Sequence, residues 1–154
     1  MGGPRWLDER QQQVWQSYIH LNQHLFAQLE QQLVRDSGLS AADYEVLHPL
    51  SEAPNGVARA RELRTEMCWD RSRLSHHLAR MERRGLVVRE ECLEDARGSM
   101  VRLTDSGRRA IEAAAPAHVE MVRQYFFDEV SDEELAALAT VFDRLLAKLA
   151  DDQQ

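Results

Sequence analysis

The chemically most distinctive residues in this sequence are the hydrogen-bond donors that follow Asp70. Three arginines, two serines and a histidine lie within residues 71–80; they are Arg71, Ser72, Arg73, Ser75, His76 and Arg80. A guanidinium group presents a planar fork of N–H donors that fits a phosphate or the edge of a guanine base. These residue types at this density indicate a surface that contacts DNA phosphates and base edges.

A second candidate contact lies in the polar turn at residues 94–98. It carries Arg97 and, two residues before it, Asp95. An arginine at the tip of a turn can enter a DNA minor groove, because narrow A·T-rich grooves attract positive charge. We therefore expect Arg97 to contact a minor groove and Asp95 to hold its guanidinium in place.

The net charge is distributed unevenly along the chain. The whole chain has a formal charge of −7, which argues against a non-specific nucleic-acid binder. Residues 59–109 nevertheless contain 13 arginines and 9 acidic residues, a net charge of +4. An acidic body with one arginine-rich segment can direct that segment towards an anion. Long arginine side chains that only cover helix surfaces would give the same count, so charge alone leaves both interpretations open.

The donors after Asp70 are predicted to lie on a helix that this aspartate caps and that ends at Gly85. Its apolar positions recur at helical spacing, at Leu74, Leu78 and Met81. A short helix over 60–67 precedes it, so the pair forms a helix-turn-helix. Two short strands, at 86–89 and 100–103, flank the polar turn and predict a β-hairpin. A helix-turn-helix followed by a hairpin is a winged helix, whose second helix fits a major groove about 12 Å wide.

Longer helices are predicted on both sides of this segment. Their N-terminal signals are Asp8 with Gln11, Ser40 with Asp43, Thr104, and Ser131 with Glu134. The first and last helices carry long apolar stripes, over Val14–Leu33 and Leu135–Leu149. The predicted fold class is mainly α (α+β): a winged helix-turn-helix with a small β-hairpin wing, plus N- and C-terminal dimerisation helices.

The motifs in this order resemble the MarR family of bacterial transcriptional regulators. The residues that carry the resemblance are Leu63, Asp70-Arg71-Ser72-Arg73-Leu74-Ser75, Leu78, Glu82, Arg84-Gly85-Leu86-Val87, Glu94-Asp95-Ala96-Arg97-Gly98, Val101-Arg102-Leu103-Thr104 and Gly107. By motif the resemblance covers roughly residues 40–115. The sequence departs from the family pattern at Cys68-Trp69, in place of a small-apolar turn, at His77, in place of an apolar residue, and at Ala96, in place of a second wing arginine.

The resemblance implies a homodimer that binds a pseudo-palindromic operator in double-stranded DNA. Residues 1–38 and 105–154 would form the dimerisation helices, and residues 40–104 the winged-helix lobe. The apolar stripes agree, because a two-fold pair would bury them, although a monomer core would also account for them. The expected function is a sequence-specific regulator, a repressor that a small-molecule effector releases from DNA.

The resemblance also implies an effector site between the dimerisation helices and the lobe. The matching residues in this sequence are Trp15, Ile19, His20, Tyr44 and His48. Each of them is also a plausible core residue. Binding at this site would change the spacing of two recognition helices, whose half-sites lie about 34 Å apart.

Metal and redox sensing remain open alternatives. His20 and His24 are spaced i, i+4, which places both side chains on one face of a helix, and this is a workable metal pair. A zinc-responsive regulator of the same fold is therefore one alternative, although we assign no metal site. Cys68 and Cys92 are candidate redox sensors, for which buried inert thiols are the favoured interpretation.

Several function classes are not expected. The sequence has no phosphate-binding glycine loop and no hydrolase or metalloprotease motif, so we expect neither an enzyme nor a cofactor. It has neither a long apolar run nor an apolar N-terminal segment, so we expect no membrane span and a cytoplasmic protein. A winged-helix module that binds another protein and never touches DNA remains the competing class, which the charge of −7 favours.

Overall fold

The computed structural model describes residues 2–91 and 98–153. The helices are α1 (Glu9–Ser37), α2 (Ala41–Glu52), α3 (Ala60–Met67), α4 (Arg71–Arg83), α5 (Asp105–Tyr125) and α6 (Asp132–Asp151). The strands are β1 (Val57–Arg59), β2 (Val87–Glu91) and β3 (Ser99–Leu103). The predicted fold class, a winged helix-turn-helix with long terminal helices, is confirmed.

The helix boundaries follow local signals in the sequence. Capping boxes join Asp8 with Gln11, Ser40 with Asp43, and Ser131 with Glu134. In each box the side chain of the residue before the helix accepts a hydrogen bond from a backbone N–H that has no partner inside the helix. The left-handed residue Gly38 ends α1. Thr104 begins α5 through its hydroxyl oxygen, which accepts a hydrogen bond from the Gly107 N–H at 2.9 Å.

The sheet has a strand that the sequence did not predict. β1 pairs antiparallel with β3, so the strand order is β1-β3-β2 rather than a lone hairpin. Its three residues are too few to show an alternating pattern, and they directly follow a turn at Pro54–Gly56. The second strand also begins one residue later than expected and extends to Glu91. Residues 94–97 of the expected polar turn, including Asp95 and Arg97, lie outside the described residues.

The first of two compact units, residues 1–118, contains the hydrophobic core. Buried side chains from α2, α3, α4 and the sheet pack together with Leu33 of α1 and Ile111 of α5. Gly107 allows α5 to pass close to the sheet, because a Cβ at this position would overlap the Leu86 carbonyl oxygen. The core therefore holds α4 firmly and leaves its opposite side free to face a ligand.

The second unit, residues 119–154, consists of the end of α5, a short 3-10 turn and α6. No residue of α6 is buried within the single chain. Six of its apolar side chains are more than 40% exposed: Leu135, Val141, Phe142, Leu145, Leu146 and Leu149. Its stripe of large apolar residues thus has no partner in one copy of the chain.

Candidate nucleic-acid interface

One side of α4 is buried and the other is fully accessible. Leu74, His77, Leu78 and Met81 face the core. At 100° per residue, the opposite side of the helix is centred on Ser72, His76 and Arg83, which are all exposed. Two of these were predicted from the sequence. Arg83 was missed, although its position seven residues after His76 places it on the same outward row.

A groove of about 1020 Å³, lined by both charged and apolar side chains, runs beside this face. It lies between α3, α4 and the strands, and its lining includes Arg71 and Ser75 from α4. Five arginines line it in total: Arg59, Arg61, Arg64, Arg71 and Arg89. Arg61 and Arg64 belong to α3 and were not among the predicted contacts. Their signal was present in the sequence, because both flank the inward-facing Leu63.

Arg89 on β2 ties the wing to α4. Its backbone N–H donates to Glu82 Oε2 at 2.8 Å, and this bond holds the pKa of Glu82 below its ordinary value. Its guanidinium lies 3.4 Å from Glu82 Oε1 and donates to the carbonyl oxygen of Ser75 at 3.4 Å. Ser75, a predicted DNA contact, therefore lies where the strand and the helix meet.

A second wing arginine is paired within the sheet. Arg102 Nε donates to Glu90 Oε1 at 3.0 Å, on the neighbouring strand. This pairing lowers the pKa of Glu90 and raises the pKa of Arg102. Arg102 and Arg89 thus contribute to the shape of the wing rather than offering unpaired charge to DNA.

The other flank of α4 carries Arg73 and Arg80, both exposed. The Arg73 guanidinium stacks 3.9 Å from the centre of the Trp69 ring. Arg80 Nη2 lies 3.1 Å from His77 Nδ1. Both predicted contacts are therefore oriented by a neighbouring ring.

A buried carboxylate lies beneath this flank. Asp43 of α2 is 1% exposed, and its Oδ2 accepts hydrogen bonds from Arg84 Nη1 at 2.7 Å and from the Ser40 N–H at 2.9 Å. Its Oδ1 lies 2.9 Å from His77 Nε2. Burial alone would raise the pKa of Asp43, but the contacts with His77, Arg84 and Ser40 hold it well below its ordinary value.

Two of the predicted effector-site residues lie together. The Tyr44 ring lies 6.0 Å from His48 and 4.2 Å from His118 of α5, measured between ring centres. Burial lowers the pKa of His118, and the nearby His48 lowers it further. Trp15 and His20 are exposed on α1, and Ile19 between them is half-buried. His118 was not among the predicted residues, because only the fold brings α5 next to α2.

The metal and redox candidates gain no support. Within residues 2–91 and 98–153, no three His, Cys, Asp or Glu side chains lie close enough together to bind a metal ion. His20 and His24 are both exposed on α1. The expected burial of Cys68 is wrong, because this residue ends α3 at the surface as an exposed free thiol. Cys92 lies outside the described residues. No helix in the described part of the chain is long and apolar enough to cross a lipid bilayer.

Comparison with known proteins gives a consistent result. A sequence model of the MarR family matches residues 37–98. An uncharacterised HTH-type transcriptional regulator of Bacillus subtilis (strain 168), YdgJ, is 30% identical over 109 residues, which cover 71% of this chain but only 65% of YdgJ.

Two solved structures from Streptomyces coelicolor match nearly the whole chain. AbsC, a MarR family transcriptional regulator, is 36% identical with a TM-score of 0.90, and the match covers 96% of this chain and 99% of AbsC. Sco3205, a MarR family regulator solved in complex with DNA, is 41% identical with a TM-score of 0.89. That match covers 94% of this chain and 91% of Sco3205.

Proposed function

The chain belongs to the MarR family of transcriptional regulators, and on that premise we propose that it binds double-stranded DNA as a sequence-specific regulator. The observation that carries this proposal is the arginine-lined groove beside the outward face of α4. A helix held from behind by a core and flanked by guanidinium groups is suited to a major groove. The solved DNA complex of Sco3205 supports the same role.

The roles of the α4 side chains follow from their positions around the helix. Ser72 and His76 lie on the outward row and would contact base edges. Arg71 and Ser75 lie on the flank that faces the protein's own groove, and Arg73 and Arg80 lie on the opposite flank. From these two flanks the side chains would contact phosphates. Arg97 would enter the adjacent minor groove, with Asp95 orienting it.

The proposal includes a homodimer, because large apolar surfaces remain exposed at both ends of the sequence. On α1 they include Val14, Trp15, Tyr18 and Phe26, each more than half exposed. On α6 the exposed members of the stripe run from Leu135 to Leu149 and include Phe142 and Leu145. Exposed apolar patches of this extent mark interaction surfaces in water-soluble proteins. A two-fold pair through residues 1–38 and 105–154 would bury them and place two copies of the 40–104 lobe over a pseudo-palindromic operator.

We further propose that the protein acts as a repressor whose release depends on a small-molecule effector. The Tyr44, His48 and His118 cluster supports this idea, because it combines stackable rings with His118 Nδ1, which is buried without a hydrogen-bond partner. Trp15, Ile19 and His20 would complete the site. An effector held there would bias the spacing of the two lobes and so reduce operator affinity.

The experiment is a fluorescence anisotropy titration with duplexes from the DNA flanking the encoding gene, or selected from a random library. Arg71→Ala should weaken binding about tenfold and lower the log–log salt slope by about 0.9 for one lost phosphate contact. Arg144→Ala, which removes an exposed arginine from the polar side of α6, is the matched control and should leave both unchanged. The proposal fails if the protein binds no duplex at low salt, as a protein-interaction module would.

A further inference from the structure

Two aromatic side chains beneath one flank of α4 contact the arginines above them. Trp69, in the turn before α4, is 8% exposed, and its ring packs edge-on against His77, with ring centres 5.5 Å apart. Arg73 stacks on Trp69, and Arg80 lies against His77. These two rings occupy two of the positions at which the sequence departs from the MarR pattern.

The proton on the His77 ring can be assigned from its neighbours. A guanidinium group only donates hydrogen bonds, so Arg80 Nη2, at 3.1 Å, requires Nδ1 to be an unprotonated acceptor. The proton of the neutral ring then lies on Nε2, which faces Asp43 Oδ1 at 2.9 Å. The carboxylate is fixed in turn by Arg84 and by the Ser40 backbone. The Asp43 carboxylate, 2.9 Å from Nε2, thus favours by its charge the tautomer of His77 that can accept from Arg80.

The two arginines form a row along the helix. Arg73 and Arg80 are seven residues apart, so they lie on the same flank about 10.5 Å apart along the axis. An arginine side chain that moves freely in solution loses rotamer entropy when it is immobilised. A guanidinium that is already held by a ring loses less on binding, so the preorganised row gains affinity.

We propose that Trp69 and His77 are positioning residues, which hold Arg73 and Arg80 in one row for contact with the phosphates of one DNA strand. This inference rests on the proposed binding of DNA by α4. The competing interpretation is that both arginines only fasten α4 to α2, since the Glu45 carboxylate of α2 also interacts with Arg73. The two interpretations differ in whether the ring and the arginine are coupled in DNA binding.

A double-mutant cycle measures that coupling. His77→Gln keeps a donor near Asp43 but removes the acceptor for Arg80, whereas His77→Asn keeps an acceptor at the δ position. Arg80→Ala should weaken operator binding about tenfold in the wild type and in His77→Asn, but only about threefold in His77→Gln. Arg71→Ala, on the other flank of α4, is the control and should reduce operator affinity by the same factor in every background.

The outcomes separate the inference from the function on which it rests. If the wild type binds no duplex, the proposed function and this inference both fail. If the wild type binds and Arg80→Ala costs the same in His77→Gln as in the wild type, the positioning role is overturned while DNA binding stands. If the losses of affinity caused by Arg71→Ala and by Arg80→Ala shrink equally in the His77→Gln background, the substitution has merely displaced α4. That outcome also overturns the positioning role.

A measurement on the unmodified protein keeps the test independent of how the variants fold. The imidazole ¹⁵N shifts of His77, assigned by comparison with His77→Asn, should report a neutral ring protonated on Nε2 in the free protein. A ring protonated on Nδ1 cannot accept from Arg80 and would contradict the proposal. The same cycle with Trp69→Phe and Trp69→Leu tests Arg73, because only phenylalanine keeps an aromatic face for the guanidinium.

Discussion

The winged-helix segment, residues 40–104, and α6 differ in how far a single chain buries their apolar side chains. In the first, most of the large apolar side chains are buried in a single copy of the chain, and Val46, Leu47 and Leu50 of α2 are 0% exposed. In α6, no residue is buried, and Leu146 is 63% exposed. Both segments have well-capped helices with regular apolar stripes. The first segment therefore buries most of its apolar surface within one chain, whereas α6 has an apolar face that the single chain leaves exposed, as the proposed dimer requires.

The two regions also differ in whether their charged groups are buried or exposed to solvent. The winged-helix segment has a buried carboxylate, Asp43, which accepts hydrogen bonds from Arg84 and the Ser40 N–H and lies 2.9 Å from His77 Nε2. In α6 the charged groups are solvent-exposed, such as the pair of Lys148 with Asp152. An exposed pair contributes little to stability, while a buried carboxylate that loses its network is costly. Mutations should therefore affect association in α6 and folding in the winged-helix segment.

The largest effect is expected on the apolar face of α6. Leu146→Asp together with Leu149→Asp places two carboxylates where the proposed partner packs, and should raise the dimer dissociation constant about a thousandfold. Sedimentation velocity would measure the change. Thr140→Asp with Ala147→Asp adds the same charge to the opposite side of α6 and is the matched control. Equal dissociation of both double variants would argue against the apolar face as the interface.

The next effect is expected at the buried carboxylate. Asp43→Asn keeps the size of the side chain but removes the charge that pairs with Arg84, so it should lower the free energy of unfolding by about 3 kcal/mol. Denaturant unfolding at a fixed protein concentration measures this. Asp36→Asn, at the exposed end of α1, serves as the control and should have no measurable effect. A stable Asp43→Asn variant would mean that the network orients α4 without stabilising the fold.

A smaller effect is expected in the dependence of stability on pH. The folded protein holds the pKa of Asp43 below its unfolded value, so the unfolded chain takes up a proton first as the pH falls. The stabilisation is therefore fully present above the unfolded pKa of about 4 and is lost as the pH falls below it. Unfolding midpoints between pH 7 and pH 3 should fall less steeply for Asp43→Asn than for the wild type. Parallel curves would remove Asp43 as the cause.

The sequence predicts those features of the fold that depend on neighbours along the chain. All of the predicted helices occur, because caps such as Ser131 with Glu134 lie three residues apart and the apolar spacing is regular. The strand β1 was missed, since three residues show no period and their pairing with β3 spans more than forty residues of sequence. Residue spacing and capping signals along the chain do not predict pairing between strands so far apart in sequence.

In the candidate site, too, local spacing predicts some residues, whereas others depend on packing between distant parts of the chain. The outward row of α4 follows from helical spacing alone, so Ser72 and His76 were found from the sequence. The contact of His77 with Asp43 was not, because 34 residues separate them and only the packing of α2 against α4 brings them together. The Trp69–Arg73 stack has a local signal, four residues apart across the start of α4, but the sequence does not say which way the indole turns.

The proposed function requires that two copies of the chain present α4 to one duplex. Sedimentation velocity of the protein with a footprinted duplex, at a salt concentration where binding is saturated, tests it most directly. We predict two chains per duplex and two protected major-groove segments whose centres lie about 10 base pairs, or one helical turn, apart. A complex with one chain per duplex, or a single protected segment, would contradict the claim.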